Sequence, residues 1–260
     1  MSDLVLARRQ AGIVRLTLND PPSRNALSSD MIKALADALT RAQDAQAVIV
    51  AANGPVFSSG HNLREITARR NDPDRGEGFF GELTAACARV MSGIVRHPCP
   101  VIAEVQGMAT AAGCQLVASC DLAVASREAR FATPGIDIGL FCSTPMVALS
   151  RNVAAKPALE MLFTAEPIGA DEALRIGLVN RVVAASELTA KTMALAAKIA
   201  AKPGAVIKLG KAAFHRQREM TLDAAYAETS RVMVENLLMH ESDEGIRAFL
   251  DKRASNWNSS

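Results

Sequence analysis

The chain has 260 residues, of which 49% are hydrophobic and 22% charged, with a net charge of +2. That length supports one sizeable core. The near-balanced charge, with no long basic run, gives no basis for a nucleic-acid partner. Aromatics make up only 4%, so the core must be built from Ala, Val, Leu, Ile and Met. The five cysteines are odd in number and irregularly spaced. They argue against a disulfide framework and fit a reducing compartment, from which a cytoplasmic location is expected. No CxxC pair occurs and there are four histidines, so no metal site is expected. No signal pattern opens the chain, and no apolar run reaches the roughly 18–20 residues of a membrane helix.

In chain order, residues 12–18 (GIVRLTL) alternate as a half-buried strand, with Val14, Leu16 and Leu18 on one side and Arg15 and Thr17 on the other. NDPPSRNAL follows as a turn, and Ser28 or Ser29 caps a helix with Met31, Leu35 and Leu39 on one face. Residues 47–52 (AVIVAA) read as a strand buried on both faces. The turn NGPVFSSGHNL comes next, and the charged stretch 65–80 reads as a mobile loop. A helix over 81–96 is stopped by His97-Pro98-Cys99-Pro100. The cycle then repeats: a strand over 101–105, the turn QGMATAAG, a helix opening in CQLVASC, a strand over 121–126, the turn-rich FATPGIDIGLF, and a helix from about 145. Beyond about 185 the pattern is wholly helical, with helices near 186–202, 204–217, 221–240 and 243–254. This recurrence predicts a layered α/β spiral followed by a helical tail.

Three small-residue turns follow strands: Phe57-Ser58-Ser59-Gly60-His61, Ala109-Thr110-Ala111-Ala112-Gly113 and Thr133-Pro134-Gly135. Small residues let backbone N–H groups approach a ligand closely, and two converging N–H groups make an oxyanion hole.

The strings PPSRNAL, VFSSGHNLREI, VQGMATAAGCQLVASCDLAVAS and FATPGIDIGL resemble the crotonase (enoyl-CoA hydratase/isomerase) superfamily in order and spacing. IGADEALRIGLVNRVV and EGIRAFLDKR extend the likeness along essentially the whole chain, and TAAGCQLVASCD with GLFCSTP points to one branch within it. The resemblance implies a crotonase-like (ββα) spiral core over residues 1–190. It also implies a C-terminal all-helical trimerisation region over 191–260, hence a homotrimer or a hexamer built as a dimer of trimers. It implies an acyl-CoA ligand, coenzyme A being part of that ligand rather than a separate cofactor. The thioester oxygen would be held by the amides of His61 and Ala112. On this reading the His61 side chain is a surface or rim group. Ala112 stands where the family usually has Gly, and Asn62 where it usually has Asp; Asn can still hold a turn.

The same resemblance places family hydratases' two glutamates at positions occupied here by Gln115 and Gly135. An amide is no base near neutral pH and Gly has no side chain, while acid–base groups are worth about 10²–10⁴ each. Gln115 either orients a water or satisfies backbone groups at its helix start. Asp137 is either a substitute acid or a turn-capping residue. Cys142, Ser143 and Thr144 read as a helix cap, since no nearby His would activate a nucleophile. Arg24 is either a CoA contact or a solvated loop residue. Phe249 and Lys252 match the family's C-terminal positions that reach CoA in an adjacent subunit; otherwise Phe249 is core and Lys252 exposed. The acyl chain is expected between the 65–80 segment and the helix from 81.

Conventional hydration is therefore expected to be weak or absent, and three functions follow: an enoyl-CoA hydratase, lyase or isomerase using a different acid or base such as Asp137; a non-catalytic acyl-CoA carrier, sensor or regulator; or another crotonase-type reaction needing only enolate stabilisation and one base, with Asp137 the leading candidate. Restoring both glutamates is expected to raise hydration if the scaffold is otherwise competent.

Overall fold

The computed structural model describes residues 3–257. The first strand, β1 (Val5–Gln10), pairs antiparallel with β2 (Ile13–Leu18) through a turn at Ala11 and Gly12, both at positive φ, 47° and 76°. Two positive φ angles match the twist a two-residue hairpin demands. β1 is absent from the sequence reading because its Ala-Arg-Arg-Gln half is solvated and carries no apolar alternation. Next come α1 (Ser29–Arg41), β3 (Ala47–Ala52), β4 (Val56–Ser58), α2 (Leu63–Arg69) and α3 (Glu77–Val95). Then follow β5 (Val101–Val105), β6 (Met108–Thr110), α4 (Ala112–Ser119), β7 (Leu122–Ser126) and β8 (Arg130–Ala132). The core closes with α5 (Ser143–Leu149), α6 (Ala155–Thr164), β9 (Ile168–Gly169), α7 (Ala170–Arg175), β10 (Arg181–Val183) and α8 (Leu188–Ala200). The tail is α9 (Gly204–Gln217), α10 (Leu222–Leu237) and α11 (His240–Leu250).

From β3 onward each turn of the spiral gives one strand to a six-stranded sheet, ordered β1-β2-β3-β5-β7-β10, and one to a four-stranded sheet, ordered β4-β6-β8-β9. Expectation placed the small sheet's strands inside turns; at three residues each, β4, β6 and β8 are too short to show a period of two. The expected loop over 65–80 is also corrected, because α2 occupies its start and α3 begins at Glu77. The overlooked signal is Asn62-Leu63-Arg64-Glu65, a capping residue followed three positions later by Glu. The Asn62 side chain accepts from the Arg64 and Glu65 amides at 3.1 and 3.3 Å. Ser28 caps α1, its hydroxyl accepting from the Met31 amide at 3.2 Å.

The large sheet is covered on both faces, so β2 is not half-buried toward solvent. Val14, Leu16 and Leu18 pack with α1 and α3, whereas Ile13, Ile49, Ile102 and Val124 meet Leu188, Leu195 and Ala196 of α8. Arg15 lies on the α8 side and binds Glu104, itself buried, with the second of two paired bonds at 2.6 Å; Thr189 donates to the same carboxylate at 2.8 Å. α8 thus crosses the expected boundary at residue 190 and belongs to the core by packing.

The tail contrasts sharply. α9, α10 and α11 each bury a single residue, Ala213, Val232 and Ala248. Lys211 anchors α9: its ammonium donates to Asp121 at 2.6 Å and to the Ile94 and Cys99 carbonyls at 3.0 and 3.1 Å.

Candidate functional site

β4, β6 and β8 are parallel neighbours, with Ser58 beside Ala109 and Thr110 beside Ala132. Their carboxyl ends therefore lie together, and the three small-residue turns that leave those ends lie side by side. Ligands of open α/β sheets gather beyond such strand ends. The centre is Ala111, which precedes α4 at φ 49° and ψ −117°, a region that L residues seldom adopt and that clusters at functional sites. Its amide donates to the Ala132 carbonyl at 2.9 Å, tying the second turn to the third.

The first turn meets the second through glycines. A Cβ on Gly60 would lie 3.0 Å from the Ala111 Cβ and 3.2 Å from the Ala112 nitrogen. One on Gly113 would lie 2.4 Å from the Ser58 carbonyl oxygen. Only glycine permits either approach. Ala112 is the first residue of α4, so its N–H has no acceptor within the helix. His61 forms a parallel bridge with Leu27, whose N–H donates to the Gly60 carbonyl at 2.8 Å. In that pairing the bonding is done by the neighbours of residue 61, and its own N–H turns away from Leu27.

Asn25, overlooked as a site residue in the sequence, holds the first turn from behind. It is fully buried at φ 51°. Its side chain accepts from the Asp20 amide at 2.8 Å and donates to the Asn53 and Val56 carbonyls at 2.9 and 2.8 Å, while its own carbonyl accepts from the Ser58 hydroxyl at 2.8 Å. The available signal was an Asn in a turn, a residue that tolerates left-handed backbone. Arg24 is exposed and also left-handed; its carbonyl accepts from the Ser59 amide at 3.0 Å. Glu65 accepts from the Ser29 amide at 3.1 Å and so joins α2 to α1.

The His61 side chain, expected at the surface or rim, is partly buried, with its ring turned toward Leu27. Its Nδ1 lies 3.2 Å from the Leu27 carbonyl oxygen. A carbonyl only accepts, so Nδ1 carries the proton and Nε2 is left with a lone pair. Burial holds the imidazole below its ordinary value, against smaller raising effects from Leu27 and Glu65. Nε2 is buried and without a hydrogen-bond partner; so is Oε1 of Gln115, a residue only 4% exposed. Gln115 lies one turn into α4, where side chains lean back toward the helix start.

Gly135 sits at the start of a 3-10 turn (Pro134–Ile138). A Cβ there would lie 2.5 Å from the Leu140 carbonyl oxygen and 2.9 Å from the Cys142 sulfur. The expectation that both glutamates could be restored is therefore corrected: backbone and a thiol fill the space a side chain at 135 would need. Asp137 is exposed on this turn. Cys142 occupies the N-cap position of α5 without a side-chain capping bond, and the Ser143 hydroxyl donates to the Phe141 carbonyl at 3.4 Å. Burial raises the Cys142 thiol and pushes Cys114 up to about 12, which leaves neither as a ready nucleophile.

Phe249 is not core: it is 83% exposed on α11, and Lys252 is exposed just beyond. An open groove of about 400 Å³ runs between Ser29 of α1 and Phe79, Leu83 and Ala86 of α3. Among the described residues, no group of three or more His, Cys, Asp or Glu could hold a metal ion, and no helix is long and apolar enough to cross a membrane.

Residues 8–260 match the enoyl-CoA hydratase/isomerase family. The chain belongs to that family. Within it, human enoyl-CoA hydratase domain-containing protein 3, described as mitochondrial, is 51% identical over 254 residues, covering 96% of this chain and 82% of its own length. Its crystal structure superposes with a TM-score of 0.92 at 49% identity, covering 98% of this chain and all of that one. An enoyl-CoA hydratase of Mycobacterium smegmatis superposes at 0.94 with 48% identity, covering 99% and 100%. A short-chain-enoyl-CoA hydratase of Clostridium acetobutylicum is 33% identical, covering 96% of this chain and 95% of its own length. The family fold expected from the motifs is the observed one, and the branch to which TAAGCQLVASCD and GLFCSTP point is that of the human relative.

Proposed function

We propose that this chain binds an acyl-CoA thioester through the paired amides of His61 and Ala112, and that conventional enoyl hydration by it is weak or absent. The observation that carries the reading is Gly135: the position lacks a carboxylate and has no room for one, while the other position holds the buried amide of Gln115. The amide pair stabilises negative charge on the thioester oxygen, an interaction of a kind worth about 10²–10³ in rate per donor. Acid–base work is what is missing. Asp137, the expected substitute, sits on the solvated side of its turn in the single chain.

Arg24, Phe249 and Lys252 are the proposed CoA contacts, the last two reaching a neighbouring subunit. Three tail helices that each bury one residue support a homotrimer or a dimer of trimers, because exposed Leu222, Leu238, Phe249 and Leu250 need a partner surface. Coenzyme A arrives with the acyl group, and no separate cofactor enters the scheme. All five cysteines are unpaired, in keeping with a reducing location such as the cytoplasm.

The test is to give the purified protein crotonyl-CoA and a longer enoyl-CoA, following binding and loss of the enoyl absorbance together. Binding with little or no loss of absorbance is the expected result. Turnover abolished by Asp137→Ala would overturn the inactivity claim and make Asp137 the working acid.

A further inference from the structure

The end of α11 carries a lysine in a backbone conformation that favours glycine. Lys252 has φ 54°, and the Arg253 amide donates to the Ala248 carbonyl at 3.0 Å. A left-handed residue followed by a donor that reaches back to the last helical turn is the Schellman way of ending a helix, and glycine is the usual occupant of the left-handed place. A residue with a Cβ there is strained, and such strain persists where surrounding contacts enforce it. Those contacts are present. The two terminal guanidinium nitrogens of Arg253 donate to the two Glu244 carboxylate oxygens at 2.7 and 2.9 Å, and the Asn256 amide donates to the same carboxylate at 2.8 Å. Paired bonds between ionised groups are the strong ones. They hold the Glu244 carboxyl down to about 2, so it stays ionised, and its side chain is only 12% exposed. Trp257 closes over Gly245 so tightly that a Cβ on that glycine would lie 3.3 Å from the indole Cη2. The chain beyond α11 is thus folded back and clamped onto the helix it leaves. The turn of that clamp presents Lys252, exposed and without an acidic partner among the described residues.

We propose that Glu244 is a positioning residue for coenzyme A: its clamp on Arg253 holds the left-handed turn and so fixes the Lys252 ammonium where it meets a phosphate of the ligand. The inference rests on the acyl-CoA reading above, in which Lys252 is a CoA contact. Glu244 itself touches no part of the ligand. Its charge alone would repel a phosphate, so an electrostatic role and a positioning role have opposite signs. Released from the clamp, the turn spends less time left-handed, and affinity falls with the fraction of chains competent to bind.

The experiment measures dissociation constants of butyryl-CoA and of butyryl-pantetheine, which lacks every phosphate, for the full chain in its native assembly, with sedimentation checked in each variant. Lys252→Met should weaken butyryl-CoA about 10-fold, the worth of one hydrogen bond between charged groups, and leave butyryl-pantetheine unchanged. Glu244→Gln should weaken butyryl-CoA about 5-fold although it makes the surface more positive, again sparing butyryl-pantetheine. Arg253→Gln, which opens the same clamp from the other side, should do likewise. In the Lys252→Met background, Glu244→Gln should add nothing. Butyryl-CoA bound as tightly or more tightly by Glu244→Gln overturns the proposal. So does an equal loss for both ligands, or a loss that adds in full to that of Lys252→Met. Altered sedimentation of Glu244→Gln also overturns it, since the clamp would then serve the assembly. If Lys252→Met leaves butyryl-CoA binding intact, Lys252 is no CoA contact, and this proposal falls while acyl-CoA binding stands. If the unaltered chain binds no butyryl-CoA, the acyl-CoA reading itself fails and this one falls with it.

Discussion

A side chain at residue 135 would have to displace backbone. The Leu140 carbonyl oxygen and the Cys142 sulfur stand 2.5 and 2.9 Å from the position of its Cβ. Gly135→Glu should therefore destabilise the fold, by at least the roughly 1–3 kcal/mol typical of overpacking. Adding Gln115→Glu to it should not produce efficient hydration; a stable, active double variant in a crotonyl-CoA assay would contradict that. Asn25 makes the complementary point by filling its site completely. Asn25→Ala strands the Asp20 amide and the Asn53 and Val56 carbonyls and leaves Ala at positive φ. The expected loss is about 3 kcal/mol in urea unfolding. The Asn25 consequence could not be read locally. The string PPSRNAL shows an Asn in a turn, but its three partners lie up to 31 residues away.

At the scale of elements, a buried ion pair helps hold α9 to the core. Lys211 and Asp121 have side chains only 8% and 17% exposed, and Asp121 also accepts from the Val101 amide at 2.7 Å and lies 3.5 Å from His215. Lys211→Met would leave the carboxylate poorly compensated, at a cost of about 3 kcal/mol. Limited proteolysis should then cut the tail before the core. A variant with unchanged unfolding would show that α9 is held by other contacts. The helices themselves were legible because their apolar residues recur at helical spacing. The strands β4, β6 and β8 were not, because three residues cannot display a period and their pairing is long-range.

For the whole molecule, two expectations concern solution behaviour. His61 and His97 are both held below the ordinary value of 6.5, chiefly by burial. The unfolded chain takes up their protons first as pH falls. Their contribution is thus fully present above about 6.5 and is lost as pH drops through the lowered folded values. Urea unfolding should show lower stability at pH 5.5 than at pH 7.5, on the order of the shift set by two histidines; a rise on acidification would refute this. The exposed apolar tail predicts self-association, and the assembly proposed from the family resemblance is a trimer or hexamer by sedimentation. Leu238→Asp with Phe249→Asp should drive it to smaller species, since each places a charge on a surface that must lose water. An unaltered chain that sediments as a monomer would remove the case for a neighbour's Phe249 at the CoA site.

Composition, periodicity and motif order determined the family, the helical tail and the buried parallel strands, because each is carried by residue type or by spacing within a short window. Tertiary structure alone decided what those residues can do. It brought the His61 and Ala112 turns together through parallel pairing of β4, β6 and β8. It closed the space at Gly135, turned the His61 ring onto the Leu27 carbonyl, and left Phe249 outside the core. The pairing, the His61 contact and the exposure of Phe249 depend on segments remote in the chain, whereas the crowding at Gly135 comes from nearby Leu140 and Cys142 through the path of one turn; none of these meetings has a signature in residue type or period.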